Sequence, residues 1–257
     1  MATLHPGCAP ITMLIRSCSH LLTIADRLLF PPSCYHCQHL LAAEERFLCH
    51  DCQQRCLQQP HHCCPCCDHP LPSTSTSDHL CHSCLSDPPP FLWLKTAGIY
   101  TDLLSELLQQ VKFHGRPGLA APLGELILEQ HLDTLQQFSP HMIIPVPLHR
   151  QRLRERGYNQ AQLISTHIAK ALHVPLATTI LTRHRATQPQ PTLTFTQRHT
   201  NLRGAFTAAR HPPQRILLVD DIVTTTATAR ACSRLLTRHG HQVGVVAVAR
   251  ARLDSSR

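Results

Sequence analysis

The chain of 257 residues is short of several things, and each shortage excludes something. It lacks an uninterrupted apolar run of the about 18–20 residues that a membrane-spanning helix needs. The nearest stretch, 13–30, is broken by Arg16, His20, Asp26 and Arg27. It also lacks a small-residue cleavage site behind a clean apolar core, so it reads poorly as an export signal. The expectation is a cytoplasmic protein with no membrane span. Aromatic residues make up only 4% of the chain, which argues against a surface built to stack nucleic-acid bases. Charged residues are held to 16% and apolar ones reach 42%, which excludes a disordered chain and allows a packed core. Lysine is scarce, with 3 Lys against 21 Arg. A G+C-rich genome favours that ratio.

It does not favour the way charge is spread. Residues 1–95 carry 5 Lys+Arg against 7 Asp+Glu, whereas residues 96–257 carry 19 against 9. Arginine presents a planar fork that grips phosphate or carboxylate with two hydrogen bonds. A basic second half therefore points to an anionic partner, either a phosphorylated small molecule or nucleic acid.

Cysteine is what the chain has in abundance, and almost all of it lies at one end: 13 of 14 Cys precede residue 85. They fall mainly into C-x-x-C pairs, Cys34 with Cys37, Cys49 with Cys52, Cys64 with Cys67, and Cys81 with Cys84. Two residues between thiolates let one tight turn aim both sulfurs at a single ion. A second such turn completes a tetrahedral four-sulfur shell, with Zn–S near ~2.3 Å. The pattern predicts two structural zinc sites rather than catalytic ones, because four thiolates leave no open position. The competing reading is a disulfide framework, which requires an oxidising compartment that no export signal supports. The run from Cys63 to Cys67 offers two frames; Cys64 with Cys67 is preferred because the turn Cys67-Asp68-His69-Pro70 follows it. Cys56, Cys63 and Cys66 are then spare. Asp87-Pro88-Pro89-Pro90 reads as a stiff linker.

Beyond Lys95 apolar strands alternate with helical periodicity. Strands are expected at 97–100, 142–146, 216–219 and 243–248, and helices at 103–115, 119–132, 161–171 and 227–239. Strands apolar on both faces imply an α/β fold with a parallel sheet covered by helices. The expected organisation is an N-terminal segment at 1–30, a double zinc ribbon at 31–87 and the α/β domain at 95–254.

Ligands of such sheets bind where strands end and helices begin. At 217–228 an apolar strand delivers Asp220 and Asp221, and the hydroxyl-rich Thr224-Thr225-Thr226-Ala227-Thr228 opens a helix. Backbone N–H groups at a helix start cradle a phosphate. The two acids suit sugar hydroxyls or a Mg2+ held by a diphosphate. An ordinary Asp/Thr helix cap is the plainer alternative.

This segment resembles the ribose-phosphate loop of type I phosphoribosyltransferases. Further stretches narrow the resemblance to the ComF family, also called the GntX or double-zinc-ribbon phosphoribosyltransferase-like family. They are Val111-Lys112-Phe113-His114-Gly115, Pro145-Val146-Pro147-Leu148 followed by Arg152 and Arg156-Gly157-Tyr158-Asn159-Gln160, and Arg183-His184-Arg185-Ala186-Thr187 with Gln190, Arg198, Asn201-Leu202 and Ala205-Phe206. The resemblance spans about residues 25–250. It implies a type I phosphoribosyltransferase-like parallel sheet with flanking helices, a small hood and a mobile flap, preceded by two zinc ribbons. It implies phosphoribosyl pyrophosphate (PRPP) with Mg2+ as ligand, in a phosphoribosyltransferase if the chain is active. Asp220 and Asp221 would hold the ribose hydroxyls and Thr224–Thr228 the 5′-phosphate. Arg152, Arg156 and Lys112 would lie near pyrophosphate, and Arg183, Arg185, Gln190, Arg198 and Asn201 would belong to the flap. It further implies a link to DNA uptake or nucleotide metabolism. The alternative it leaves open is a non-catalytic factor that handles single-stranded DNA in competence, with DNA or a DNA-uptake helicase as partner. One departure stands out: Thr226 occupies a place where the family has Gly. If that position is left-handed, a β-branched residue there costs about 1–2 kcal/mol.

Overall fold

The computed structural model describes residues 31–72, 74–185, 202 and 204–251. The chain divides into two compact units, 1–50 and 51–257, which are taken in turn.

The described part of the first unit is a knuckle. Cys34 N–H donates to His39 O at 2.8 Å and Gln38 N–H returns to Cys34 O at 3.0 Å. Gln38 closes the turn with a left-handed φ of 62°. Ser33 and Leu40 pair across it as a single bridge. A short helix, α1 (His50–Cys56), follows.

The second unit, which takes in most of α1, repeats the knuckle at Cys64. Cys64 N–H donates to His69 O and Asp68 N–H to Cys64 O, each at 2.8 Å, and Asp68 takes the left-handed φ of 58°. Cys64 thus stands where Cys34 stands, which selects the Cys64–Cys67 frame over Cys63–Cys66. The five-residue helix α2 (His82–Ser86) carries Cys84 and is preceded by Cys81.

The α/β part contains β1 (Trp93–Ile99), α3 (Asp102–Phe113), α4 (Ala120–Phe138), β2 (Met142–Pro145), α5 (Arg150–Arg156), α6 (Gln160–Leu172), β3 (Leu181–Arg183), β4 (Phe206–Ala208), β5 (Arg215–Val223), α7 (Ala227–Arg238) and β6 (Gln242–Arg250). Four strands form one parallel sheet in the order β1-β6-β5-β2, and β3 pairs antiparallel with β4. The strands are parallel because helices return the chain between them. Eight of the nine β6 residues are buried, as a strand covered on both faces requires. α3 buries Leu103, Leu104, Leu107, Leu108 and Val111 at i, i+3, i+4 spacing. Truncating one of them, as in Leu107→Ala, costs about 2–5 kcal/mol. Gly244 is required where β6 passes β1, because a Cβ there would lie 2.6 Å from the Trp93 ring.

The second knuckle is fastened to this sheet. Cys64, Cys67, Cys81 and Cys84 share one hydrophobic cluster with Phe91, Leu94 and Val245. Asp68 Oδ2 accepts from Thr96 N–H at 2.9 Å and Thr96 Oγ1–H at 2.6 Å, and Arg250 Nη1 donates to Cys67 O at 2.6 Å. The proline run read as a linker lies between two fixed points. Asp87 is bound by Arg230, and Leu92 N–H donates to Val243 O at 2.8 Å.

The segment around Arg152 and Arg156, where the apolar pattern predicts no helix, is the helix α5. None of its residues is buried, so it has no apolar face to betray it. Good intrinsic formers (Arg, Gln, Leu, Glu), a His149 cap accepting from Gln151 N–H at 3.3 Å, and Gly157 at φ 82° define it instead.

Candidate functional site

The carboxyl end of β5 and the start of α7 form the floor of a cleft of about 620 Å³. β5 runs on through the two acids to Val223, with Asp220 opposite Ala247 and Ile222 opposite Ala249. Each acid caps the next backbone N–H: Asp220 Oδ1 accepts from Asp221 N–H at 2.9 Å and Asp221 Oδ1 from Ile222 N–H at 2.7 Å. Lys112, in the last turn of α3, donates from Nζ to Asp221 Oδ2 at 2.9 Å. The two carboxyls consequently titrate apart. Burial, seconded by the charge of Asp221, pushes Asp220 up to about 8. Burial also acts to raise Asp221, but the Lys112 charge and hydrogen bond together with Ile222 N–H outweigh it and hold that carboxyl below its ordinary value. The acid paired with Lys112 is thus the one favoured in its ionised form, and its neighbour the one favoured protonated.

Across the cleft, Arg156 lies 5.5 Å from the centroid of the Phe113 ring. Arg152 pairs with Glu155 at 3.4 Å on an exposed face. Tyr158 and Asn159 hold this wall in place. The Tyr158 hydroxyl donates to Val111 O at 2.6 Å, next to Lys112, and Asn159 Nδ2 donates to Val146 O at 3.0 Å beyond the end of β2. Arg183, over the Phe206 ring at 5.4 Å, completes the rim.

Of the residues expected at a ligand site, Lys112, Arg152, Arg156, Arg183, Asp220, Asp221, Thr224 and Thr228 therefore surround one cleft. Thr225, Thr226 and Ala227 are buried at the start of α7 and do not line it. Arg185 is exposed away from it. Gln190, Arg198 and Asn201 lie outside the described residues. Thr226 is left-handed, at φ 60° and ψ 1°. Gln160, read from the sequence only as the end of the Arg156–Gln160 stretch and given no role of its own there, also lines the cleft while 2% exposed. Its Nε2 has no hydrogen-bond partner among the described residues. A buried amide donor of this kind is ordinarily matched by an acceptor, which water or a ligand in the cleft can supply. The burial of Gln160 could not be read from the sequence, because a polar residue in the first turn of a helix is ordinarily solvated.

The cysteines form two groups, Cys34, Cys37, Cys49 and Cys52, and Cys64, Cys67, Cys81 and Cys84, with the sulfurs of each within 4.8 Å of one another. The Cys37–Cys49 and Cys67–Cys81 sulfurs are 3.6 and 3.7 Å apart. Four thiolates at ~2.3 Å from a central ion lie about 3.8 Å from each other, so both groups fit a tetrahedral sulfur-bound ion. Cys56, Cys63 and Cys66 stand outside them.

A parallel α/β sheet with an acid pair and a cationic wall at its carboxyl edge, joined to two four-cysteine groups, defines the class of protein. Its sequence relatives make the assignment narrower. Competence protein F of Haemophilus influenzae is 33% identical over 226 residues, covering 85% of this chain and 96% of that protein. DNA utilization protein YhgH of Escherichia coli K12 is 34% identical over 219 residues, covering 82% and 92%. Competence protein ComFC of Bacillus subtilis is 24% identical over 221 residues, covering 80% and 84%. The chain belongs to the family of competence protein F, the ComF family. No protein-family model matches the chain. Among solved structures, adenine phosphoribosyltransferase from Saccharomyces cerevisiae is similar at 16% identity, covering 53% of this chain and 78% of that one with a TM-score of 0.32. Purine phosphoribosyltransferase from Pyrococcus horikoshii is similar at 13% identity, covering 61% and 90% with a TM-score of 0.31.

Proposed function

We propose that the cleft binds PRPP with Mg2+ and serves phosphoribosyl transfer in DNA utilization. The observation that carries this reading is the split acid pair at the end of β5, followed at once by a hydroxyl-rich turn into a twelve-residue helix. Asp221, held ionised by Lys112, accepts from one ribose hydroxyl. Asp220 donates or accepts as its partner demands. Thr224 and Thr228, with the start of α7, take the 5′-phosphate. Arg152, Arg156 and Lys112 face the pyrophosphate, whose departure from C1′ leaves negative charge that fixed cations stabilise. Asp220 is the group that suits a divalent cation, since the ion's charge would favour the ionised carboxylate that burial and the charge of Asp221 disfavour. When bound, Mg2+ would neutralise diphosphate charge there. Gln160 supplies a further donor inside the cleft.

The metal of both cysteine groups is zinc in this reading, two ions per chain, each in a closed four-thiolate shell with a structural role. In this reading the compartment is a reducing one, the cytoplasm, where cysteines serve as zinc ligands rather than disulfide partners. Among the described residues no helix is long and apolar enough to cross a membrane.

A second reading, handling of single-stranded DNA, is favoured by the names of the relatives and by Arg150, Arg152 and Arg154 standing exposed on α5. Phosphate contacts of that kind weaken steeply with salt. Titration of the full chain with PRPP and Mg2+, and with single-stranded DNA at two salt concentrations, separates the readings. PRPP binding supports the first; salt-sensitive DNA binding without PRPP binding supports the second.

A further inference from the structure

The turn that opens α7 is gripped from behind by one residue. Arg230 lies one turn into α7 and is only 3% exposed. Its main-chain N–H donates to Thr226 O at 2.8 Å, and its Nε donates to Thr226 Oγ1 at 3.0 Å. Both oxygens of Thr226 are thereby held by a single residue, at the position where the backbone is left-handed. The rest of the guanidinium points away from the cleft. Nη1 donates to Asp87 Oδ2 at 2.9 Å and Nη2 to Asp87 O at 2.7 Å. Asp87 is the C-cap of α2 and donates its own N–H to Ser83 O at 3.1 Å. α2 holds Cys84, and Cys81 is its N-cap.

A line of hydrogen bonds thus runs from Ser83, the chain neighbour of Cys84, through Asp87 and Arg230, to Thr226. A buried guanidinium is tolerated only when its donors are matched, and here all three nitrogens are used. The guanidinium fork fits because it is rigid: lysine offers one point charge and cannot reach Thr226 and Asp87 together. The carboxylate of Asp87 is 65% exposed, so its ion pair alone is weak; geometry rather than charge is what the contact supplies.

We propose that Arg230 is a positioning residue that shapes the Thr224–Thr228 turn for an anion by bracing Thr226 against Asp87, so that anion affinity at the cleft depends on the Cys64, Cys67, Cys81 and Cys84 group although no cysteine of that group lines the cleft. This rests on the reading of the turn as a phosphate site. The brace explains why a threonine is kept at a left-handed position: glycine would adopt the backbone freely but would leave Arg230 Nε without its acceptor.

The test uses the full zinc-loaded chain and three variants, Asp87→Ala, Arg230→Lys and their combination. Asp87→Ala removes an exposed carboxylate and keeps the fold accessible to measurement. Amide hydrogen exchange is followed over residues 224–228 without ligand, PRPP affinity is measured by calorimetry with Mg2+, and zinc content and melting temperature are recorded beside them. The expected result is exchange at 224–228 faster by about ten-fold in each single variant, with exchange in α3 unchanged and two zinc ions retained. PRPP affinity falls by about ten-fold in each, and the double variant is no weaker than Arg230→Lys alone, because the two contacts act in series. Wild-type exchange at 224–228 in Arg230→Lys overturns the brace, whatever PRPP does. Additive losses in the double variant overturn it as well. A wild-type chain that binds no PRPP overturns the phosphate reading, while the exchange measurement still decides whether Arg230 shapes the turn.

Discussion

Lys112 Nζ stands 2.9 Å from Asp221 Oδ2, joining the last turn of α3 to the carboxyl end of β5. Both side chains are mostly shielded, 19% and 15% exposed, so the pair is screened less than a surface ion pair. It favours the ionised form of Asp221, while burial and the charge of Asp221 raise the neighbouring Asp220. Lys112→Met removes the charge and leaves Asp221 buried without it. A charged hydrogen bond of this kind contributes about 1.5–3 kcal/mol. PRPP affinity is expected to fall by about ten- to hundred-fold in Lys112→Met, read by calorimetry.

The raised carboxyl of Asp220 ties stability to pH. Its folded value of about 8 stands above the ordinary value, so through the window from about 4 to 8 the folded chain binds a proton that the unfolded chain has lost. Stability contributed by this group therefore falls as pH rises through that window. Asp221, shifted downward, acts the other way and only in more acid solution, below its ordinary value. Asp220→Asn is expected to flatten the decline in melting temperature between pH 5 and 8, and a scan of melting temperature against pH in both proteins checks it.

The two cysteine groups are expected to hold two zinc ions per chain, counted by elemental analysis of protein purified without chelator. Their losses differ in consequence. Cys67→Ser removes an ion from a group that shares a hydrophobic cluster with Phe91, Leu94 and Val245, so the unit built on the sheet should melt lower. Cys34→Ser removes an ion from the other group and should leave the sheet's own melting transition in place. Circular dichroism melts beside the metal count distinguish the two.

Thr226 carries two opposed contributions. Its left-handed backbone costs about 1–2 kcal/mol for a β-branched residue, while its hydroxyl satisfies a buried guanidinium for about 1.5–3 kcal/mol. From sequence alone, Thr226→Gly would be expected to tighten PRPP binding by relieving strain. With Arg230 Nε at 3.0 Å from Oγ1, the two terms oppose each other and Thr226→Gly should bring no gain in stability. Thr226→Asn, which tolerates the left-handed region and keeps an acceptor, should melt above Thr226→Gly. Parallel thermal melts of the three proteins test this.

The parts of this molecule legible from its sequence are those whose signal is local. Ile216 to Val219 is continuous, apolar and buried, and reads as a central strand; its extension through Asp220 to Val223 does not, because charge ends the run while ladder pairing to Ala249 and Arg250 continues it. The cysteine pairs declare their grouping by spacing, since turn geometry sets which sulfurs meet. α5 hides because a helix with no buried residue has no apolar periodicity to read. Arg230 looks like any helix arginine, and only the fold brings it to Asp87, 143 residues away. Arg250 likewise meets the carbonyl of Cys67 across 183 residues. Such contacts depend on topology, which spacing does not encode.

The central claim is that the acid pair at the end of β5 is the heart of a PRPP site. Calorimetric titration of PRPP with Mg2+ into the wild-type chain and into the Asp220→Asn, Asp221→Asn double variant tests it most directly. The account predicts saturable binding to the wild type and none to the double variant, at unchanged zinc content and an intact melting transition. Equal affinity in the two proteins, or no binding to the wild type, would contradict it.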